Sequence, residues 1–145
     1  MEMWIRQEAR PDPHHSPGVA TASTDLSLAS GRWLDPRVPT PIPAQVGEAL
    51  AGQTFKSFDK LRSAIWENIG NSPELSGGFS RANLAQLKAG NAPFAPSEFL
   101  ADTGAFGERF NLHHVDPIVN GGPVYDLSNL QIVSPKAHFN IHFGK

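Results

Sequence analysis

The chain has 145 residues, 12 Lys and Arg against 14 Asp and Glu, and a formal net charge of −2. With 39% hydrophobic residues, it is long enough to form one globular domain with a buried core. The absence of cysteine excludes disulfides, thiolate metal sites and cysteine nucleophiles, so any metal must be bound by His, Asp or Glu. The slightly acidic balance argues weakly against a polyanionic partner. We expect neither a membrane helix, which needs a run of about 18 apolar residues, nor a signal peptide.

The first 43 residues are rich in Pro, Gly, Ser and Thr and lack a clear apolar period. This composition is typical of irregular structure, because proline and glycine interrupt helices and strands. We predict an irregular arm over residues 1–30, mobile at its start, followed by a single domain over residues 31–145. His14 and His15 lie in the arm without helical or strand context, so we expect them to have no functional role.

Apolar residues recur at helical spacing between residues 43 and 90, which predicts a helical body. The expected elements are a short helix over 43–52, a longer helix capped by Ser57 and ended by Gly70, a turn opened by Ser72 and Pro73, and a helix capped by Ser80 and ended by Gly90. In the first of these, Val46, Leu50 and Ala51 share one face. Trp33, Phe58 and Trp66 are expected to anchor the core rather than to stack on bases.

The last 37 residues change character and predict the order strand, turn, strand, helix. The segment RFNLHH over 109–114 alternates as a strand, and LQIV over 130–133 is the returning strand. Asn120-Gly121-Gly122 is a strong turn signal between them. A final helix begins at Ser134 and Pro135 and ends at Gly144. The predicted fold class is therefore α+β, a helical body with a C-terminal ββα unit.

Four of the six histidines stand in this tail, at positions 113, 114, 138 and 142. His138 and His142 are one helical turn apart and can share a metal ion. His113 and His114 point to opposite faces of a strand, so one of them can join the metal site while the other does something else. Three histidines with an open fourth position are typical of a catalytic metal site. The remaining histidine could take a proton from water. The alternative is four unrelated histidines in a turn-rich region.

The tail FNLHHVDPIVNGGPVYDLSNLQIVSPKAHFNIHFGK resembles the metal-binding finger of the HNH endonucleases, specifically the cytotoxic nuclease domains of colicins and S-type pyocins. The motif elements are the His-His pair, the GG-x-VYD-x-x-N segment, and H-x-x-x-H after a Pro-Lys pair. The upstream segment GRWLDPRVPTPIPAQVGEALAGQTFKSFDKLRSAIWENIGNSPELS is similar to the segment that precedes the finger in those toxins. The resemblance covers about residues 17–145, with the HNH finger at 109–145.

This resemblance implies a role for each matching residue. His113, His138 and His142 would ligate one divalent metal ion, zinc in a purified form, with magnesium, nickel or another divalent ion possible for activity. His114 would be the general base that activates water. Asn129 would tie the loop of the finger together and help to orient the base. Tyr125 and Asp126 are expected to have packing and capping roles, with Asp126 capping the short turn that contains Asn129.

The resemblance also implies a metal-dependent, largely sequence-nonspecific DNA endonuclease that acts as the killing domain of a bacteriocin. Such a toxin is released from the producing bacterium and acts in the cytoplasm of the target bacterium. The producer is protected by an acidic immunity protein that binds beside the active site. The corresponding stretch here is about residues 82–109, with Phe94 as an aromatic anchor or, alternatively, as a loop residue that closes the core.

Three positions depart from the family pattern. Asn111 stands where many of these toxins carry Glu, Gly107 where they tend to carry a basic residue, and Ala137 where they often carry Arg. Arg109 is the nearest substitute, because on a strand it would share a face with His113 and could reach a scissile phosphate. The alternative for Arg109 is an exposed strand arginine paired with Glu108.

These departures motivate a second hypothesis, a catalytically weakened module that still binds metal and an immunity protein. A third hypothesis is a restriction or phage-type HNH nuclease. The charges within residues 104–145 cancel: Arg109, Lys136 and Lys145 against Glu108, Asp116 and Asp126. A divalent ion would then be the dominant positive charge in the site. We therefore expect a weak electrostatic hold on DNA and a shallow salt dependence.

Overall fold

The computed structural model describes residues 15–118 and 123–143. The helices are α1 (Ala44–Leu50), α2 (Phe58–Asn71), α3 (Pro73–Ser76), α4 (Arg81–Lys88) and α5 (Pro135–Phe143), and the strands are β1 (Gly18–Val19), β2 (Thr40–Pro41), β3 (Thr54–Phe55), β4 (Asn111–His114) and β5 (Leu130–Val133). Short 3-10 turns lie at Ser97–Phe99 and Leu127–Asn129. Among the described residues, no helix combines the length and the apolar character that crossing a bilayer requires.

Serine side chains start three of the body helices, as predicted. The Oγ atoms of Ser57, Ser72 and Ser80 accept hydrogen bonds from backbone N–H groups in the first turns of α2, α3 and α4. Each bond satisfies a donor that the helix itself cannot pair. Gly90 follows α4 with a φ of 83°, a conformation that favours glycine and ends the helix.

The core is built around α2, whose inward residues are buried: Phe58, Leu61, Ile65, Trp66 and Ile69. Trp33 packs against this core, and its Nε1 donates a hydrogen bond to the Leu75 carbonyl oxygen. The prediction that Trp33, Phe58 and Trp66 are structural anchors is confirmed. The prediction for Ala51 is wrong: this residue is exposed, because α1 ends at Leu50 and Ala51 is already the C-cap.

Part of the predicted arm belongs to the body. Strand β1 pairs antiparallel with β3, and Ala20, directly after β1, is 1% exposed within the main core. Thr21 then bonds to the backbone of Tyr125 and Leu127 in the C-terminal tail. Residues 18–21 therefore contribute to the fold. The predicted mobile start, including His14, lies outside the described residues.

The tail forms the predicted ββα unit. Strands β4 and β5 pair antiparallel, with His113 opposite Gln131, and β2 adds to the other edge of β5. Helix α5 follows at once and packs on both strands. The α+β prediction is confirmed. Strand β4 begins at Asn111 rather than at 109, because Arg109 instead forms an isolated antiparallel bridge with Phe94. The predicted turn at 120–122 lies outside the described residues.

Candidate metal centre

Three histidines converge between β4 and α5. His113, His138 and His142 each offer a ring nitrogen, and the three atoms lie within 4.8 Å of one another. The ring centroids are 5.3 Å apart for His113 and His138, 5.5 Å for His113 and His142, and 4.9 Å for His138 and His142. Helical spacing places two of them on one face of α5, and strand pairing brings the third alongside. Three imidazoles at this spacing fit a divalent ion that accepts nitrogen ligands.

The environment favours the neutral form of His113 and His138. Burial, and to a smaller extent the neighbouring His113 and His142, lower the pKa of His138 to about 4. Burial is also the largest cause that lowers the pKa of His113, followed by His142 and His114. Because only the neutral imidazole has a lone pair for a metal, the lowered pKa values of His113 and His138 favour the form that binds a metal.

His114 points to the opposite face of β4 from His113. Its ring packs against Phe58 at a centroid distance of 5.0 Å, and its Nε2 lies 3.1 Å from the carbonyl oxygen of Val124. A carbonyl oxygen can only accept, so in the neutral ring Nε2 carries the proton and Nδ1 is the basic atom. The sequence predicted Phe58 as a core residue but gave no signal of its contact with His114.

Asn129 connects the two sides of the loop that follows β4. Its side chain is 9% exposed; Oδ1 accepts from the Asp116 backbone at 2.8 Å, and Nδ2 donates to the carbonyl oxygens of Asp116 and Pro123. Pro123 directly precedes Val124, whose carbonyl oxygen contacts His114. The Asp126 side chain accepts from the Ser128 backbone, so the prediction that Asp126 caps the turn containing Asn129 is confirmed.

Arg109 lies two residues before the start of β4. Its Nη1 donates to the side-chain oxygen of Gln86 at 3.0 Å and to the carbonyl oxygen of Ala92 at 2.6 Å. Its guanidinium carbon lies 4.2 Å from the centroid of the Phe94 ring. The predicted position of Arg109 on the strand, on one face with His113, is therefore wrong. Arg109 nevertheless lines the same cavity of about 820 Å³ as His138.

Two of the departures from the family pattern have local explanations. Gly107 has a φ of 74°, in the region that favours glycine, and it follows Phe106, which has a φ of 66°. Ala137 is 9% exposed on the inner side of α5, where a long charged side chain would be desolvated. The stacking of the Phe106 ring on His138, at a centroid distance of 4.0 Å, had no signal in the sequence.

Phe94 lies in the loop between α4 and β4, within the stretch 82–109. The Asn83 side chain holds its backbone by accepting from the Phe94 N–H and donating to the Phe94 carbonyl oxygen. The Phe94 ring is 40% exposed, which is more than expected of a residue that closes the core. The loop is fixed while its aromatic ring remains accessible.

Comparison with known proteins agrees with this architecture. A family model described as "Colicin/Pyocin-S2, DNase domain" matches residues 18–144. Colicin-E7 of Escherichia coli is 37% identical over 134 residues, which cover 90% of this chain and 22% of the colicin. Pyocin-S2 of Pseudomonas aeruginosa is 35% identical over 136 residues, which cover 92% of this chain and 19% of the pyocin. The chain thus spans about a fifth of the length of either relative.

A solved structure is also similar to this one. The crystal structure of the pyocin AP41 DNase-immunity complex matches with a TM-score of 0.78 and 35% identity, covering 88% of this chain and 98% of that chain. Fold and sequence together define a nuclease domain, and hence a hydrolase, of α+β architecture. The chain belongs to the colicin and pyocin DNase-domain family. The predicted resemblance is confirmed, and the family favours a bacteriocin nuclease over the alternative of a restriction or phage-type enzyme.

Proposed function

We propose that this chain is a metal-dependent HNH endonuclease that hydrolyses DNA with little sequence preference and acts as the killing domain of a bacteriocin. The observation that carries the proposal is the cluster of His113, His138 and His142 directly beside His114. Family membership supports the nuclease activity, and the ββα unit supports the HNH type.

In the proposed mechanism, His113, His138 and His142 would hold one divalent ion. When bound, the ion supplies charge stabilisation at the scissile phosphate and its leaving oxygen. His114 takes a proton from the attacking water at Nδ1, because the bond to Val124 keeps the other proton on Nε2. The contact with Phe58 limits the rotation of the His114 ring, so the basic nitrogen keeps one direction.

Two further residues have proposed roles around the base. Asn129 fixes the loop that carries the Val124 carbonyl oxygen, and thereby orients His114. Arg109 contributes a positive charge to the cavity that it shares with His138, where a DNA phosphate could be held. A guanidinium has five N–H donors, so bonds to Gln86 and Ala92 from Nη1 are compatible with a phosphate contact.

The proposed partners are DNA and a cognate immunity protein. The pyocin AP41 DNase was crystallised as a complex with an immunity protein, which supports such a partner here. We assign its binding region to residues 82–109, with the exposed ring of Phe94 as the anchor. The proposed route of the toxin is release from the producing bacterium and action in the cytoplasm of the target bacterium.

The experiment is plasmid nicking by the purified chain with zinc, magnesium or nickel, with and without a chelator. The parent should nick with at least one metal, and the chelator should stop it. His114→Ala should lower the rate by about 100-fold or more, the usual contribution of a general base. His15→Ala, a histidine in the exposed arm, is the matched control and should nick like the parent. Equal nicking by His114→Ala and the parent would disprove the mechanism.

A second candidate is a weakened module that binds metal and immunity protein without efficient cleavage. It is favoured by the neutral residues Asn111, Gly107 and Ala137. With these positions uncharged, Arg109 is the basic residue that precedes β4 most closely in the sequence. Metal binding and immunity binding with no nicking under any metal would support this candidate against the first.

A further inference from the structure

Asn111 contacts a proposed metal ligand directly. It begins β4 two residues before His113, so both side chains point to the same face of the strand. Its Oδ1 lies 2.8 Å from Nδ1 of His138 on helix α5. The contact joins the first strand of the ββα unit to its helix, across 27 residues of sequence.

The orientation of the Asn111 amide follows from its other bonds. Nδ2 donates to the carbonyl oxygens of Arg109 at 3.0 Å and of Phe106 at 3.3 Å. Both partners can only accept, so the nitrogen must face them and the oxygen must face His138. An oxygen acceptor in turn requires a proton on Nδ1 of His138. The lone pair of the neutral ring is therefore on Nε2, the other nitrogen.

The plane of the His138 ring is fixed as well. Phe106 stacks on it with an interplanar angle of 26°. Phe106 has a φ of 66°, a backbone conformation that is unfavourable for an aromatic residue and needs support from its surroundings. The bond from Asn111 to the Phe106 carbonyl oxygen gives such support. One amide thus holds both the ligand and the ring that covers it.

We propose that Asn111 is a positioning residue that presents Nε2 of His138 to the metal. The inference rests on the proposed metal site. Here the partner of His138 is a neutral amide, whereas the toxins that this chain resembles often carry a carboxylate at the same position. A carboxylate partner makes a metal-bound imidazole a stronger ligand, whereas an amide fixes its direction without adding charge. At this site, His138 would therefore bind the metal as a ligand whose direction is fixed by a neutral partner.

The first test is zinc affinity, measured by competition with a chromophoric chelator. Asn111→Leu keeps the approximate volume but removes the acceptor, and should raise the zinc Kd by about 10-fold to 100-fold. Asn111→Asp keeps an oxygen acceptor at the same place while it loses both donated bonds, and should bind zinc at least as tightly as the parent. Asn83→Leu removes a similar amide clamp, whose hydrogen bonds go to the Phe94 backbone and not to a histidine, and should leave the Kd unchanged.

The second readout is the protonated nitrogen of His138, from long-range proton–nitrogen NMR of the metal-free protein. The parent and Asn111→Asp should show His138 protonated at Nδ1, while Asn111→Leu should show a mixture of both tautomers. A zinc Kd of Asn111→Leu equal to that of the parent, or an equal loss in Asn111→Asp and Asn111→Leu, would overturn the inference. A parent that binds no zinc would overturn the metal site itself, which is a different result.

Discussion

The side chain of Asn129 pairs with both backbone groups of Asp116, accepting from its N–H and donating to its carbonyl oxygen. The same amide nitrogen also donates to Pro123, on the other side of the loop. Val124, the next residue, contacts the proposed base His114. A single buried amide therefore links loop geometry to the direction of the base.

Replacing Asn129 should harm both stability and cleavage. Asn129→Ala removes the three hydrogen bonds of its side chain to Asp116 and Pro123, so we expect the free energy of unfolding to fall by about 1–3 kcal/mol. We also expect the nicking rate to fall by about 10-fold or more, because the loop that orients His114 is released. Thermal unfolding and plasmid nicking measure the two effects. Asn91→Ala, an exposed asparagine, is the control, and a parent-like nicking rate in folded Asn129→Ala would refute the positioning role.

Gly18 is required by its contact with Tyr125. A Cβ atom at Gly18 would overlap the Tyr125 ring, whose hydroxyl donates to the Ser16 carbonyl oxygen. Gly18→Ala should therefore lower the free energy of unfolding by about 1–3 kcal/mol, the usual cost of overpacking. Gly77→Ala is the matched control, because its Cβ would meet nothing within 4 Å and its φ is −68°. Denaturant unfolding should give a lower free energy of unfolding for Gly18→Ala than for Gly77→Ala. Equal values would show that residues 15–23 do not pack firmly on the tail.

The metal-free protein should lose stability as the pH falls from about 6.5 to about 4. Unfolded histidine takes up a proton near pH 6.5, whereas burial and the neighbouring histidines lower the pKa of folded His138 to about 4. Between these values the unfolded state binds more protons, so stability rises with pH in this window and levels off above it. The unfolding temperature of chelator-treated protein at pH 7 and pH 5 measures the effect. His138→Gln should show a smaller drop, and an identical drop in both proteins would contradict this origin.

Phe94 should be important for immunity binding but not for cleavage. Its ring is exposed on a loop that Asn83 holds in place, so Phe94→Ala removes contact area without releasing the backbone. We expect the Kd for the cognate immunity protein to rise by about 30-fold or more, as for an anchor residue. Nicking should stay close to that of the parent, because Arg109 keeps its bonds to Gln86 and Ala92 when the Phe94 ring is removed. Calorimetry and plasmid nicking test the two parts. Leu28→Ala, an exposed residue outside 82–109, should change neither quantity, and unchanged affinity in Phe94→Ala would move the interface elsewhere.

DNA binding should depend weakly on salt. The fixed charges of residues 104–145 cancel, with Arg109 and Lys136 as the described cations there. With two or three phosphate contacts, the slope of log K against log salt should be about −3 or shallower. Fluorescence anisotropy with the His114→Ala variant, which should bind without cutting, measures it between 50 and 200 mM salt. A slope as steep as about −6 would mean that a basic surface outside this region holds the DNA.

The sequence predicted the elements that local patterns define. Serine caps, the apolar face of α2, the span of β5 and the one-turn spacing of His138 and His142 all depend on residues close together in the chain. The periodicity of a helix or strand determines which of its side chains share a face, so these features could be predicted without knowing the rest of the fold. The motif likewise predicted the family, because its histidines and turn residues stand in one short tail.

Contacts between distant segments were decided only by the tertiary structure. Ala20 enters the core. Arg109 contacts Gln86, Ala92 and Phe94, because β4 begins at Asn111, two residues later than the alternation suggested. The bond between Asn111 and His138 and the stacking of Phe106 also join residues with no common periodicity. By itself, the sequence determined which residue types carry the chemistry and which strand or helix holds them. Packing decided the partner and the orientation of each side chain, because those depend on which segments meet in space.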